Sequence, residues 1–280
     1  MTATAPRDLA ELLDTLAESP ETQLLAGGTD FMVEVNFGRR DPRAVVALRR
    51  VGELRGWARA DDVVTLRAGL TFTEMEREPI ATLVPALAQA ARTVGSPQIR
   101  NAGTLGGNLG TASPAGDALP VLAALDAVIV LADRAGTRRV PFAEFITGPK
   151  QNVCRPGEVI VAAEVAPARG PQEFVKVGTR NAMVISVASV ALVVDDTART
   201  VACALGSVGP TIVRATEAER WIAGRVDWEH DTVVEPGDRA TFAAMVADAA
   251  RPIDDHRSTA DYRRRAIEVC ARRALERALR

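Results

Sequence analysis

Two glycine-rich segments hold the residues best suited to binding a ligand. Residues 24–31 read Leu-Leu-Ala-Gly-Gly-Thr-Asp-Phe, and residues 104–108 read Thr-Leu-Gly-Gly-Asn. A Gly-Gly pair permits positive φ and carries no side chains, so consecutive N–H groups can point into one concavity and hold an anion such as a pyrophosphate. Thr29 and Thr104 add hydroxyl donors beside these amides. Together the two segments predict a site for a phosphate-containing ligand.

Neither segment has the spacing of the common nucleotide-binding loops. A Walker A loop needs a Lys-Ser/Thr pair after its second glycine, and a Rossmann turn has the spacing Gly-x-Gly-x-x-Gly. A single Gly-Gly turn is more often structural, because hairpins and helix ends use the same backbone chemistry. The presence of two such segments favours a ligand site, and a nucleotide bound there would be held differently from those loops.

The stretch around the second segment is rich in small residues and leads to a carboxylate. Residues 95–120 contain too many small and turn-forming residues to predict a regular element. Asp117, at the end of residues 110–117, could accept hydrogen bonds from ribose hydroxyls or an adenine amine. It could equally cap the helix that begins near Ala118. Both roles stay open from the sequence.

The hydrophobic pattern predicts mixed α and β structure around these segments. An amphipathic helix over residues 9–17 and an apolar strand over residues 23–26 lead into the first glycine segment. Residues 167–171 have the turn chemistry of a linker, and a second α+β unit follows them. Further strands are predicted at 43–48, 63–68, 128–131, 140–141, 159–165, 173–177, 186–194 and 200–205, and helical segments at 72–91, 119–124, 215–223, 240–249 and 262–279.

The composition excludes several classes of protein. The 280 residues are 47% hydrophobic, and 34 basic against 36 acidic side chains give a net charge of −2, without a basic stripe for nucleic acid. Residues 1–20 lack the basic segment and apolar core of a signal peptide. The longest apolar stretch, 118–132, contains Asp126 and is too short to span a bilayer. We therefore expect a cytoplasmic protein with no transmembrane segment.

The few cysteines and histidines restrict the possible chemistry. The wide separation of Cys154, Cys203 and Cys270 predicts neither a disulfide framework nor a metal site. His230 and His256 offer little material for a His-based metal site or a Ser-His-Asp triad. Cys154 and Cys203 are expected to be small buried apolar residues, and the cysteine pattern fits a reducing compartment.

Motifs along the whole chain follow the order found in one known family. The N-terminal part has Ala-Gly-Gly-Thr-Asp at 26–30, Ser-Pro-Gln-Ile-Arg-Asn at 96–101 before the second glycine segment, and Ala-Ser-Pro-x-x-Asp at 112–117. The C-terminal part has the run 176–186, Leu-Gly-Ser-Val-Gly-Pro-Thr at 205–211 with Arg214, and the tail 255–264. These motifs resemble the FAD-binding medium subunit of molybdenum hydroxylases, the xanthine dehydrogenase and carbon monoxide dehydrogenase group.

The resemblance implies an α+β fold in three parts. Two α+β subdomains of the vanillyl-alcohol-oxidase (PCMH) type, at residues 1–55 and 56–168, would hold FAD in an extended conformation. A C-terminal domain at residues 172–280, like that of carbon monoxide dehydrogenase flavoproteins, would have a three-stranded antiparallel sheet and a helical bundle. Because the first glycine segment has no His or Cys, the resemblance implies non-covalent FAD.

The resemblance also implies which residues bind FAD, and it implies no catalytic residue and no metal ligand. The two glycine segments would wrap the pyrophosphate and the neighbouring ribityl region, and Asp117 would meet the ribose or adenine end. Ile160 and Lys176 would lie beside the isoalloxazine, where the Lys176 ammonium would stabilise the anionic reduced flavin. The implied FAD-binding residues are Leu24, Leu25, Ala26, Gly27, Gly28, Thr29, Asp30, Phe31, Thr104, Leu105, Gly106, Gly107, Asn108, Thr111, Ser113, Asp117, Ile160 and Lys176.

The resemblance further implies partner chains. Three cysteines cannot supply the four ligands of an iron–sulfur cluster, so the clusters that feed electrons to FAD must lie elsewhere. A molybdopterin large subunit would oxidise the substrate, and a small 2Fe–2S subunit would relay electrons to this FAD and on to NAD+, a quinone or O2, in a dimer of heterotrimers. Two alternatives remain: a stand-alone FAD-dependent oxidoreductase acting directly on a small molecule, and an adenine-nucleotide-binding module without chemistry.

Two further groups of basic residues have no chemistry assigned from the sequence. Lys150 and Lys176 are the only lysines among the 34 basic residues, and Lys150 is expected to lie in a surface loop without a chemical role. The arginine-rich helix 262–280 is typical of a solvated face, part of which could dock an acidic partner.

Overall fold

The computed structural model describes residues 2–229 and 234–279. It confirms an α+β fold. The described residues form three units, and each unit is built on a β-sheet. The first unit contains β1 (Thr2–Thr4), α1 (Leu9–Glu18), β2 (Gln23–Leu25), α2 (Phe31–Asn36) and β3 (Ala44–Ala47). Its strands are parallel, in the order β1-β3-β2. Leu12 and Leu16, four residues apart on one face of α1, pack on this sheet.

The second unit is a five-stranded antiparallel sheet covered by short helices, with the strand order β4-β5-β10-β6-β7. Its strands are β4 (Trp57–Ala60), β5 (Val63–Arg67), β6 (Val128–Asp133), β7 (Gly136–Pro141) and β10 (Val159–Val165), beside a hairpin of β8 (Ile146–Gly148) and β9 (Gln151–Asn152). Its helices are α3 (Phe72–Met75), α4 (Ile80–Leu83), α5 (Pro85–Arg92), α6 (Pro97–Ala102), α7 (Leu105–Thr111), α8 (Ala118–Ala124) and α9 (Phe142–Phe145). Every residue of α8 is buried, as expected for the long apolar stretch.

The prediction that residues 95–120 form no regular element is wrong for most of that region. Ser96 accepts from the Ile99 N–H and Pro97 occupies the first turn of α6, which is a good helix start. The glycines of α7 are accommodated because the helix packs close to the sheet: a Cβ on Gly106 would lie 2.6 Å from the Ala68 Cβ. Close packing has overridden the low helix propensity of glycine, and the longest irregular stretch left in this region is 112–117.

The third unit is an antiparallel sheet in the order β11-β12-β13-β14, packed against helices. It contains β11 (Gln172–Val177), β12 (Ala188–Asp195), β13 (Thr200–Gly206), β14 (Val213–Arg214), α10 (Thr216–Ala223), α11 (Pro236–Ala249) and α12 (Ala260–Ala278). The three long strands form the predicted sheet, and the two-residue β14 extends it. Along β12, Val190 and Leu192 face the core with the third unit's helices, whereas Ala191 and Val193 face the core of the second unit. This sheet is therefore buried on both faces, which joins the second and third units.

Polar contacts also connect these two units. Arg214 in β14 donates to the Ala123 carbonyl and to Asp126, both at 2.7 Å, at the C-terminal end of α8, where a cation is favourable. Glu219 pairs with the same guanidinium at 2.7 Å. Within residues 2–229 and 234–279, no helix combines the length and apolar character that crossing a bilayer requires. His230 lies outside the described residues.

Candidate functional site

The two glycine segments lie against each other where the first unit meets the second. A Cβ on Gly27 would lie only 1.9 Å from the Ala102 carbonyl oxygen, at the C-terminal end of α6. A Cβ on Gly107 would lie 3.8 Å from the Ala26 Cβ. The backbone at Gly27 approaches α6 this closely only because a side chain is missing, whereas the 3.8 Å distance at Gly107 is ordinary van der Waals contact. The structure therefore brings the two predicted segments into one site.

The first segment presents a row of free backbone donors. Gly28 has φ +74°, which turns the chain between β2 and α2. Among the described residues, the N–H groups of residues 27–31 have no protein acceptor, and this run of amides is called the amide nest below. The nest is half-buried apart from the exposed Asp30. Consecutive free amides of this kind suit a pyrophosphate.

The second segment does not present a run of consecutive free amides, because the N–H groups of residues 105–108 are bonded within the described chain, so that expectation is wrong. The Leu105 N–H donates to the Leu70 carbonyl (2.9 Å), and the Gly106 N–H donates to the Ala68 carbonyl (2.7 Å). The N–H groups of Gly107 and Asn108 donate to the side chain and the carbonyl of Thr104, each at 3.0 Å, because Thr104 caps α7. Glycine here serves the packing of α7 on the sheet, and the amides of residues 105–108 are already satisfied.

Asn108 supplies a group in the second segment that is free to bind a ligand. Its Oδ1 is buried and has no hydrogen-bond donor within the described part of the chain. It faces Gly116, whose Cβ, if present, would lie 3.1 Å from this oxygen. A buried acceptor without a partner is costly, and a hydroxyl or N–H of a ligand would satisfy it. The free amides and this acceptor fit a cofactor that carries both phosphate and hydroxyl groups.

Asp117 and Lys176 form a buried ion pair between the second and third units. The Lys176 Nζ lies 2.6 Å from the Asp117 Oδ2, and the two side chains are only 7% and 6% exposed. Lys176 also donates to the Thr93 carbonyl at 3.1 Å, and the Ser186 hydroxyl donates to the Asp117 Oδ1 at 2.6 Å. Both charges are thus paired and hydrogen-bonded, as burial requires.

This pair corrects two expectations for Asp117. In the described chain its side chain makes no capping hydrogen bond to α8, so the capping role is wrong. The resemblance also implied that Asp117 lies at the ribose or adenine end of FAD and Lys176 at the isoalloxazine. The two placements cannot both be right, because two groups 2.6 Å apart cannot lie at opposite ends of an extended FAD. Asp117 and Lys176 belong to one part of the site.

The remaining predicted residues lie around α7. Thr111 ends this helix, and Ser113 follows it in the irregular stretch, where its hydroxyl accepts from the Ala115 N–H at 3.3 Å. Ile160 is buried in β10, and its Cδ1 lies 3.8 Å from the position a Cβ on Gly110 would occupy. The structure thus gathers Thr111, Ser113 and Ile160 around the C-terminal end of the helix that carries the second glycine segment.

Sequence reasoning missed Glu34 and the contact that Lys150 makes with it. The Lys150 Nζ lies 2.5 Å from a Glu34 carboxylate oxygen, although 116 residues separate the two. This hydrogen bond lowers the pKa of Glu34 from its usual 4.5, against the opposing effect of desolvation. The rarity of lysine was the one signal for Lys150, and the sequence contains none for Glu34.

The arginine-rich helix is a mixed-charge surface. Its exposed arginines are largely paired with carboxylates, and Arg263 is buried, donating to the Val187 and Ser207 carbonyls. A face of paired charges offers little net attraction to an acidic partner. The pairs are Arg264 with Asp261, Arg265 with Glu268, Arg272 with Glu276 and Arg277 with Glu173.

The three cysteines are free and their thiols stay protonated at physiological pH. Burial raises the pKa of Cys154 and Cys270 to about 11, and burial raises the pKa of Cys203 further. Only the thiolate is a good nucleophile. We expect negligible reaction of the folded protein with Ellman's reagent at pH 8 and reaction of all three thiols after denaturation; rapid reaction of one thiol in the folded protein would contradict this.

Comparisons with known proteins place this architecture in one group. Residues 1–167 match the FAD binding domain in molybdopterin dehydrogenase, and residues 173–278 match the CO dehydrogenase flavoprotein C-terminal domain. The chain is 36% identical over 203 residues to the nicotinate dehydrogenase FAD-subunit of Eubacterium barkeri, covering 69% of this chain and 68% of the relative. It is 28% identical over 277 residues to the carbon monoxide dehydrogenase medium chain of Hydrogenophaga pseudoflava, covering 97% and 94%.

Solved structures show the same fold over the full chain. Quinoline 2-oxidoreductase from Pseudomonas putida 86 superposes with a TM-score of 0.91 at 26% identity, covering 99% of this chain and 96% of that chain. Carbon monoxide dehydrogenase from Hydrogenophaga pseudoflava superposes with a TM-score of 0.90 at 27% identity, with the same coverage.

Fold, site and comparisons define an oxidoreductase flavoprotein whose cofactor is FAD. The chain belongs to the family of FAD-binding domains of molybdopterin dehydrogenases, as the FAD subunit of complexes of the xanthine and carbon monoxide dehydrogenase type. The family resemblance and the cofactor predicted from the sequence are confirmed.

Proposed function

We propose that this chain holds FAD where its first two units meet and transfers electrons within a three-subunit molybdenum hydroxylase. The carrying observation is that the free amide nest at residues 27–31 adjoins the segment with the unpartnered Asn108 Oδ1. The nest suits the anionic pyrophosphate, and the Asn108 oxygen suits a hydroxyl donor. When bound, FAD supplies the redox chemistry, between iron–sulfur clusters on the donor side and NAD+, a quinone or O2 on the acceptor side.

We infer distinct roles for the residues implied to bind FAD. The segment 24–31 provides the nest, whereas the segment 104–108 provides Asn108 and a rigid helix start. Asp117 neutralises Lys176, so the pair carries no net charge toward the cofactor. Lys176 therefore acts there as an oriented hydrogen-bond donor, and its capacity to stabilise an anionic flavin is smaller than an unpaired lysine would have.

Two observations support partner chains: the small number of cysteines in this chain, and its similarity to the medium chain of carbon monoxide dehydrogenase. The three cysteines of this chain, all free thiols, are fewer than the four that an iron–sulfur cluster needs. We propose a small 2Fe–2S subunit and a molybdopterin subunit, as a dimer of heterotrimers in the cytoplasm. The free thiols support a reducing compartment. We also propose the division into residues 1–55, 56–168 and 172–280, which the three larger sheets support.

Affinity purification of the tagged chain from its native host tests this proposal. We expect FAD, iron, acid-labile sulfide and molybdenum to co-purify with two further polypeptides. We also expect the flavin absorbance to bleach on addition of a reducing substrate of the molybdopterin subunit only when the iron–sulfur polypeptide is present. A chain that purifies alone, loaded with FAD and turning over a small molecule, would instead establish the stand-alone oxidoreductase.

A further inference from the structure

We propose that Lys150 is a positioning residue of the flavin site, whose ammonium group holds α2, and with it the amide nest, against the second unit. The inference rests on the proposed role of the nest in FAD binding. The proposal assigns a function to Lys150, for which the sequence alone indicates no chemical role. It also explains what fixes the geometry of residues 27–31.

Helix α2 has little apolar anchoring of its own, since Phe31 and Val35 are only half-buried. None of its six residues, all of which the structure describes, is buried. Met32 and Val33 are exposed, as is Phe37 directly after the helix. Burial of apolar side chains is what normally fixes a helix on its domain. Polar contacts must therefore contribute to the position of α2, which continues directly from the nest.

Lys150 provides such a contact from a firmly held hairpin turn. It has φ +58°, and its N–H donates to the Ala112 carbonyl at 3.0 Å. Asn152 in the same hairpin donates to the Gly110 carbonyl at 3.0 Å. The turn is thus attached to the C-terminal end of α7, the helix that begins with the second glycine segment. Lys150 joins the elements that carry the two segments.

The side chain of Lys150 completes this connection. Its Nζ contacts Glu34 on α2 at 2.5 Å and lies 3.9 Å from Asp30, a residue of the nest. Glu34 is only 18% exposed, so the contact is partly shielded from water. Glu34 also accepts from Arg40, whose guanidinium lies over the Phe31 ring at 4.7 Å. A chain of polar contacts therefore runs from the hairpin to the last residue of the nest.

The test compares FAD dissociation constants by flavin fluorescence titration of the full chain. Lys150→Met should weaken FAD binding about three- to fivefold, the effect of one partly shielded ion pair. Glu34→Gln should weaken FAD binding similarly. The double variant Lys150→Met/Glu34→Gln should bind FAD no more weakly than the single variant with the lower affinity. Lys150→Arg should restore most of the affinity, because it keeps the charge.

Arg139→Met is the matched control. Its pair with Glu164 has side-chain exposures of 61% and 20%, against 54% and 18% for Lys150 and Glu34, but it lies on the sheet away from the nest. We expect unchanged FAD affinity in this control. The proposal would be overturned if Arg139→Met weakened FAD binding as much as Lys150→Met, because the effect would then be a general loss of stability. It would also be overturned if Lys150→Arg weakened FAD binding as much as Lys150→Met.

Amide hydrogen exchange of residues 32–36 in the FAD-free protein distinguishes a failure of the proposed role of Lys150 from a failure of the proposed role of the nest in FAD binding. Faster exchange in Lys150→Met than in Arg139→Met, together with weakened FAD binding, supports the proposal. Unchanged FAD affinity overturns it in either case. If exchange is nevertheless faster, Lys150 holds α2 and the nest is not the FAD site; if exchange is also unchanged, Lys150 does not hold α2.

Discussion

Replacing Gly27 by alanine should abolish FAD retention. The added Cβ would lie 1.9 Å from the oxygen and 2.5 Å from the carbon of the Ala102 carbonyl, and both are backbone atoms held at the end of α6. Overpacking costs about 1–3 kcal/mol even where side chains can move, so we expect FAD affinity to fall by more than about 100-fold. The FAD-to-protein ratio after purification and the dissociation constant after reconstitution measure this.

Gly52→Ala is the control for this substitution. A Cβ on Gly52 would meet no described atom within 4 Å, and the residue has no positive φ. We expect this variant to retain FAD and to unfold at the same temperature as the wild type. Circular dichroism of Gly27→Ala checks that the chain still folds. Full FAD occupancy in Gly27→Ala would show that the two segments need not lie this close for the cofactor to bind.

Of the substitutions considered for their effect on the free energy of unfolding, Asp117→Asn should cause the largest loss. The change leaves the Lys176 ammonium, 7% exposed, without its counter-charge between the second and third units. Removing one partner of a buried ion pair costs about 3–5 kcal/mol. The free energy of unfolding from urea titration measures the loss. The double variant Asp117→Asn/Lys176→Met should recover part of it, because no unpaired charge remains.

Asp126→Asn provides the comparison for Asp117. Asp126 also pairs with a basic residue, Arg214, at 2.7 Å, but its side chain is 81% exposed. An exposed pair contributes at most about 1 kcal/mol, and asparagine tolerates the positive φ of this position. Equal losses for Asp117→Asn and Asp126→Asn would contradict the importance of the buried pair.

The sequence allowed good prediction of the periodic elements and of the glycine segments. Apolar periodicity placed α1 and the long strands of the third unit close to their observed bounds. The glycines of the two segments indicated close backbone approach, and the contact of Gly27 with Ala102 shows that approach. These are local signals, carried by residues adjacent in the chain.

Other features depend on contacts between distant residues, which one sequence does not reveal. Helix α7 was missed because glycine has a low helix propensity, and the packing of Gly106 on Ala68 compensates for it. The ion pair of Asp117 with Lys176 spans 59 residues, and that of Glu34 with Lys150 spans 116. Motif similarity singled out Asp117 and Lys176 individually, but the assignment of each to a different end of FAD failed for lack of this pairing.

Amide hydrogen exchange at single-residue resolution, with and without FAD, tests the central claim most directly. The N–H groups of residues 27–31 have no protein acceptor among the described residues, whereas those of residues 105–108 are all bonded. We predict that FAD strongly slows exchange at residues 27–31 and changes it little at residues 105–108, which should exchange slowly in both states. Unchanged exchange at residues 27–31 on FAD binding would contradict the assignment of the pyrophosphate to the amide nest.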